Sequence, residues 1–136
     1  MLELLVNIDV DDLPRAIDFY TRAFDLRTGR RFGADAVELL GGSSPIYLLV
    51  KAAGTRPIPP SSEVRSYARH WTPVHLDVVV RNVDAAVARA VSAGATLESD
   101  PQTHGWGRLA LLADPFGNGF CFVEFLGRGY DEIASS

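Results

Sequence analysis

Val6-Asn7-Ile8-Asp9-Val10 and, 70 positions later, Leu76-Asp77-Val78-Val79-Val80 set up the architecture of this chain. Each alternates with a period of two, the mark of a strand with two unlike faces. In the first, Val6, Ile8 and Val10 point one way and Leu5, Asn7 and Asp9 the other. In the second, Leu76, Val78 and Val80 oppose His75, Asp77 and Val79. The same offset goes on to relate Leu13 to Val83, Ala16 to Ala86, Ile17 to Val87 and Ala23 to Ala93, so the chain reads as two related halves.

A helix start follows each strand. Asp12 is placed to accept a backbone N–H as N-cap, with Pro14 tolerated in the first turn, and Asn82 takes the matching part in the second half. The helical period predicts an inward stripe of Leu13, Ile17, Tyr20 and Phe24 in one helix and of Val83, Val87, Ala90 and Val91 in the other, with Gly94 as a stop. Strand-like runs close each half: Val37 to Leu40 and Ile46 to Val50, then Arg108 to Leu112 and Phe120 to Phe125. Asp114-Pro115-Phe116-Gly117-Asn118-Gly119 is a strong turn between the last two, and Gly41-Gly42-Ser43-Ser44 a hairpin turn. Glu124 is expected to form a peripheral salt bridge, and His104 to lie solvated in a loop.

These readings divide the chain into a first module over 1–52, a connector over 53–73, a second module over 74–126 and a tail over 127–136. The connector, rich in Gly, Pro and Ser, is expected to hold a helical turn around Glu63 to His70; the tail is expected to fray.

Composition narrows the function classes. The 136 residues carry 13 Lys+Arg against 17 Asp+Glu, a net charge of -4 that argues against nucleic acid as a partner. A chain of this size buries roughly two-thirds of its unfolded surface and so needs neither disulfide nor structural metal to hold a core. The single Cys121 cannot form an internal disulfide, so a cytoplasmic location is expected. Met1 to Asp9 has acids within its apolar run, unlike a secretory leader, and no apolar stretch reaches membrane-spanning length.

Val10-Asp11-Asp12-Leu13 with Phe19-Tyr20, and Gly105-Trp106-Gly107-Arg108 with Asp114-Pro115-Phe116-Gly117-Asn118, resemble the two module signatures of the vicinal oxygen chelate superfamily, which includes glyoxalase I, bleomycin resistance proteins and extradiol dioxygenases. The resemblance spans nearly the whole chain apart from connector and tail. It implies an α+β fold of two βαβββ modules forming a half-open, cup-shaped mixed sheet with helices outside. Leu5, Asn7, Asp9, His75, Asp77 and Val79 would line the cup.

Metal-using members of that superfamily place one ligand on each first strand and one on a last strand. Carried over, these positions are Leu5 and His75, then Cys121 and, in the first module, a position near Tyr47 or Leu48. Leu5 donates nothing, and a hard divalent ion needs several oxygen or imidazole donors, so no metal and no other cofactor are expected. The candidate ligand-binding residues are Asn7, Asp9, Tyr47, Trp71, His75, Asp77, Trp106 and Cys121: polar groups to orient a ligand, flat rings to stack on it. Phe32 and Tyr67 stand beside the same elements. No Ser sits in a nucleophile elbow.

The resulting expectation is metal-independent binding or sequestration of a small molecule, with neither nucleic acid nor membrane as partner and, by resemblance, a homodimer. The alternative is a divalent-metal-dependent lyase, isomerase or dioxygenase built on His75 with a rearranged ligand set. Whether the chain is an enzyme is left open by its residues.

Overall fold

The computed structural model describes residues 1–135. In chain order the elements are β1 (Val6–Val10), α1 (Leu13–Ala23), β2 (Arg27–Phe32), β3 (Ala36–Leu40), β4 (Ile46–Val50), β5 (Leu76–Val79), α2 (Val83–Ala93), β6 (Thr96–His104), β7 (Gly107–Ala113) and β8 (Gly119–Phe125), followed by a 3-10 turn at Gly129–Glu132. The first four strands form one sheet in the order β1-β4-β3-β2, the last four another in the order β5-β8-β7-β6. In each, the strand before the helix runs parallel to the last strand and the remaining pairs are antiparallel. The fold is therefore α+β, two βαβββ modules with one topology. By its internal contacts the chain divides into two compact units, Met1–Ala68 and Arg69–Ser136.

In the first unit Asp12, with extended backbone, accepts the N–H of Arg15 at 3.1 Å and starts α1 as expected. The buried stripe is Leu13, Ala16, Phe19, Tyr20 and Ala23, with Ile17 and Phe24 only half-buried. It faces β4, and Val10, Val37, Leu39 and Leu48 complete a core of aliphatic side chains from the sheet's inner face. Phe19, Tyr20 and Phe24 meet edge to face at 4.9 to 6.4 Å.

In the second unit Asn82 accepts the N–H of Ala85 at 3.0 Å, and Gly94, at φ 122°, closes α2. Here the buried face is Val83, Ala86 and Ala90, while Val91 is exposed, contrary to the periodic reading. Small alanines bring the helix close to Ala110 and Phe122, and the sheet, not the helix, supplies the bulk. Glu124 does not form the expected peripheral salt bridge; its carboxylate accepts the N–H of Val83 at 2.7 Å and so serves the positive end of α2.

Four further expectations are corrected. The polar strands β2 and β6 are absent from a reading based on hydrophobic alternation: Arg27-Thr28-Gly29-Arg30-Arg31-Phe32 and Thr96 to His104 are edge strands whose ladders, not side-chain burial, hold them. His104 is consequently the last residue of a strand, stacked on Trp106 at 5.2 Å. Glu63 to His70 forms no helical turn. The Gly54 N–H donates to the Arg65 carbonyl and the Arg65 N–H to the Thr55 carbonyl, both at 2.8 Å, the Arg65 guanidinium pairs with Asp9 at 2.8 Å, and the Tyr67 hydroxyl donates to the Lys51 carbonyl; these tethers fix the segment's course without a helix. The tail folds back through its 3-10 turn, with Tyr130 against Phe125 at 4.8 Å and Trp106 at 5.1 Å; its last residue, Ser136, lies outside the described residues. Among the described residues no helix is long and apolar enough to cross a membrane.

Candidate functional site

On each sheet the face away from its helix carries candidate residues, Asn7, Asp9 and Tyr47 on the first and Asp77 and Cys121 on the second, and the strand register aligns them in rows. In the first unit Asn7 pairs with Tyr47, and Tyr47 with Glu38. In the second Asp77 pairs with Cys121, and Cys121 with Leu111. The 70-residue offset makes Asn7 the counterpart of Asp77, so the register assigns Tyr47, not Leu48, as the counterpart of Cys121.

The second row opens onto a cleft of about 140 Å³. Leu111 and Cys121 face it from the sheet, with Leu112 and Phe120 of the neighbouring row at its border, and Trp71, 80% exposed, lines it from the connector. Thr72, His75, Glu98 and Arg69 supply polar groups. Arg69 is held by a two-pronged ion pair with Glu98, Nε to Oε2 at 2.7 Å and Nη2 to Oε1 at 2.9 Å, and donates to the carbonyls of His70 and Gly117. Hydrogen bonding to Arg69 keeps the Glu98 carboxyl below its ordinary range. Gly119 makes room for this guanidinium, since a Cβ there would stand 2.5 Å from Nη2. Behind it, buried Asp114 accepts the N–H groups of Phe116 and Asn118 at 2.8 and 2.9 Å, which fixes the turn between β7 and β8.

His75 Nε2 lies 3.1 Å from Asp77 Oδ1, and donor atoms of His75, Asp77 and Cys121 all fall within 4.8 Å of one another. Burial, and then the neighbouring Asp77 carboxylate, pushes the Cys121 thiol up to about 11, so it stays protonated near neutrality.

The first row is filled instead. Glu38, a buried carboxylate, accepts the Arg30 backbone N–H and Nε at 3.1 Å, Arg30 Nη2 at 2.7 Å and the Tyr47 hydroxyl at 3.1 Å. These bonds, those of Arg30 foremost, hold its carboxyl at about 2. Tyr47 is thus engaged with Glu38, Asp9 with Arg65, and Asn7 is exposed. Of the eight candidates, the structure brings Trp71, His75, Asp77 and Cys121 together; Asn7, Asp9 and Tyr47 belong to the first sheet, and Trp106 packs between His104 and Tyr130 at the β6–β7 turn. Sequence reasoning missed Glu38, Arg30, Arg69 and Glu98. An acid in the open-face phase of the aliphatic run Val37-Glu38-Leu39, one hairpin away from three arginines, was the available signal for the first two.

The donor set does not fit the superfamily's chelate. Leu5 is an exposed hydrocarbon, Tyr47 is bound to Glu38, and only His75 and Cys121 of the four positions present metal-binding atoms. Imidazole, thiol and one carboxylate together suit a borderline ion such as zinc rather than a hard one.

Comparison with known proteins agrees with the module topology. The family model of the glyoxalase-like domain matches residues 5–123. An uncharacterized protein of Mycobacterium tuberculosis is 36% identical over 121 residues, covering 82% of this chain and 68% of that protein. The anthracycline biosynthesis protein DnrV of Streptomyces peucetius is 34% identical over 132 residues, covering 95% of this chain but 43% of its own length. Among solved structures, the fosfomycin resistance protein FosX of Listeria monocytogenes superposes with a TM-score of 0.71 at 16% identity over 98% of both chains. TioX of Micromonospora gives 0.69 at 21% identity, covering 93% of this chain and all of its own. At those identities the structures speak for the fold, and the family match speaks for the lineage: the chain belongs to the glyoxalase-like domain family, within the vicinal oxygen chelate superfamily.

Proposed function

We propose that this protein binds a planar, hydroxylated aromatic molecule in the cleft of its second unit, without the oxygen-chelating divalent ion of its superfamily. The observation that carries this reading is the cleft itself. Leu111 and Cys121 face it from the sheet, the exposed Trp71 indole borders it, and the Arg69–Glu98 pair with Thr72 and His75 offers donors and acceptors. Its volume, about 140 Å³, is of the order of the roughly 150 Å³ cavity that takes up benzene, so one ring fits inside and further rings extend over Trp71. The relative DnrV is named for anthracycline biosynthesis, and anthracyclines are fused, hydroxylated aromatics; that supports the ligand class.

A dihydroxyanthraquinone, titrated in the presence of a chelator and followed by tryptophan quenching, tests it. One equivalent should bind, and quenching should disappear in Trp71→Phe but persist in Trp106→Phe. Binding abolished by the chelator, or unaffected by loss of Trp71, sinks the proposal.

A second reading is favoured by the proximity of His75, Asp77 and Cys121. Three donors suit a catalytic zinc site, which would make the protein a lyase or isomerase with a rearranged ligand set; a dioxygenase would need a redox-active divalent ion at the same donors. Under that reading His75→Ala loses zinc uptake and turnover together.

A further inference from the structure

We infer that Arg30, on the first unit, is a second recognition point, a preorganised guanidinium for the carboxylate of an aromatic acid. The site is built from the backbone outward. Between Thr28, opposite Leu39, and Arg31, opposite Val37, strand β2 carries one residue more than β3, so Gly29 and Arg30 together face Glu38. Such a bulge redirects a side chain that regular alternation would have sent elsewhere. Here it sets the Arg30 backbone N–H and both Nε and Nη2 on the Glu38 carboxylate. Gly29 is what permits the approach, since a Cβ at that position would stand 2.6 Å from Glu38 Oε1.

A buried acid that serves only packing is replaceable by a hydrocarbon of similar volume. Glu38, the Tyr47 hydroxyl and Gly29 instead converge on one cation whose side chain stays 68% exposed. A carboxylate behind an arginine fixes the guanidinium plane in advance, which removes the rotamer cost of gripping an anion in front. Nη1 of Arg30 has no hydrogen-bond partner among the described residues and is the donor left for a ligand. Beside it the Phe32 ring lies 5.6 Å from the guanidinium carbon and 6.3 Å from the Tyr47 ring, both rings within reach of a flat acid's body. Charge-assisted bonding at one end and aromatic contact along the flank define an aromatic carboxylate rather than a phosphate or an aliphatic acid. None of its residues is among those that line the cleft of the second unit, so it stands or falls independently of that reading.

The test compares naphthoate with uncharged naphthol on the full chain near neutral pH, with the protein labelled at arginine side-chain nitrogens. Naphthoate should shift the Arg30 Nε resonance and bind at least about tenfold more tightly than naphthol, the margin of one charge-assisted hydrogen bond. Arg30→Met should erase the preference, and Arg30→Lys should retain only part of it. Because Arg30→Met alone leaves Glu38 without its cation, the double change Arg30→Met with Glu38→Met provides a folded comparison, while the resonance shift needs no substitution. An unmoved Arg30 resonance, equal affinities in the native protein, or a preference that survives the double change overturns the assignment. Trp71 quenching, read in the same samples, reports the other site separately.

Discussion

The two sheets share topology and register yet fill the same open-face row in opposite ways. In the first, Tyr47 reaches Glu38 and Arg30 and the row is closed by its own side chains. In the second, the counterpart is Cys121, whose short side chain leaves a cleft beside His75 and Leu111. The helix-facing rows have not diverged in this way: Val6, Ile46 and Leu39 on one sheet match Leu76, Phe120 and Leu112 on the other, all apolar. Duplication has preserved the face that folds each module and released the open face.

The largest effect should come from substitutions across that division. Leu48→Ala and Phe122→Ala remove fully buried side chains beneath the helices and should cost about 2–5 and 3–5 kcal/mol respectively. Asn7→Ala, on the open face of the first sheet, exposes no core and should stay within about 0.5 kcal/mol. Denaturant unfolding of the three variants measures this; an Asn7 loss matching the core losses breaks the comparison.

Acid sharpens it next. The Glu38 carboxyl, at about 2 in the folded protein against an ordinary 4.5, is ionised more readily folded than unfolded. Its contribution to stability is therefore complete above 4.5 and disappears as the pH falls from there towards 2. Other acids titrate over the same range, so the informative quantity is the difference: Glu38→Gln should unfold with a visibly shallower dependence on pH between those values. Parallel curves for the two proteins would deny Glu38 its role.

How much of this could be read from residues alone follows from what each element depends on. β1, β5 and both helices were legible because one face of each is buried and their period shows it, and both caps were legible because Asp12 and Asn82 are short acceptors at the end of a strand. β2 and β6 were not, since an edge strand such as Arg27-Thr28-Gly29-Arg30-Arg31-Phe32 is stabilised by its neighbour's backbone and leaves no apolar alternation. The helix stripes were slightly misplaced because alanine at 16, 23 and 86 is buried through close approach, which hydrophobicity underweights. His75, Asp77 and Cys121 could be nominated as a strand neighbour pair and a family position; Arg69 and Glu98, 29 residues apart, meet only once the connector's course past Gly119 is known. Glu38 and Arg30 depended on a bulge that shifts the register by one residue, which no spacing rule announces.

The smallest effect tests whether the shared half of the comparison is shared in energy as well as in form. Asp12 and Asn82 occupy equivalent positions, have nearly equal extended dihedrals, and each accepts the N–H three residues on, at 3.1 and 3.0 Å. Replacing either with Ala should therefore cost about 1 kcal/mol. Two local differences act in opposite directions. Pro14 preorganises the first turn of α1 and lowers its dependence on the cap, whereas Glu124 already accepts the N–H of Val83 in α2 and adds negative charge at that helix end. Asp12→Ala and Asn82→Ala should thus agree within about 0.5 kcal/mol, and adding Glu124→Gln to Asn82→Ala should enlarge the loss in the second unit alone. A cap that matters in one unit and not in the other would mean that the helices, like the open faces, have been released from their common origin.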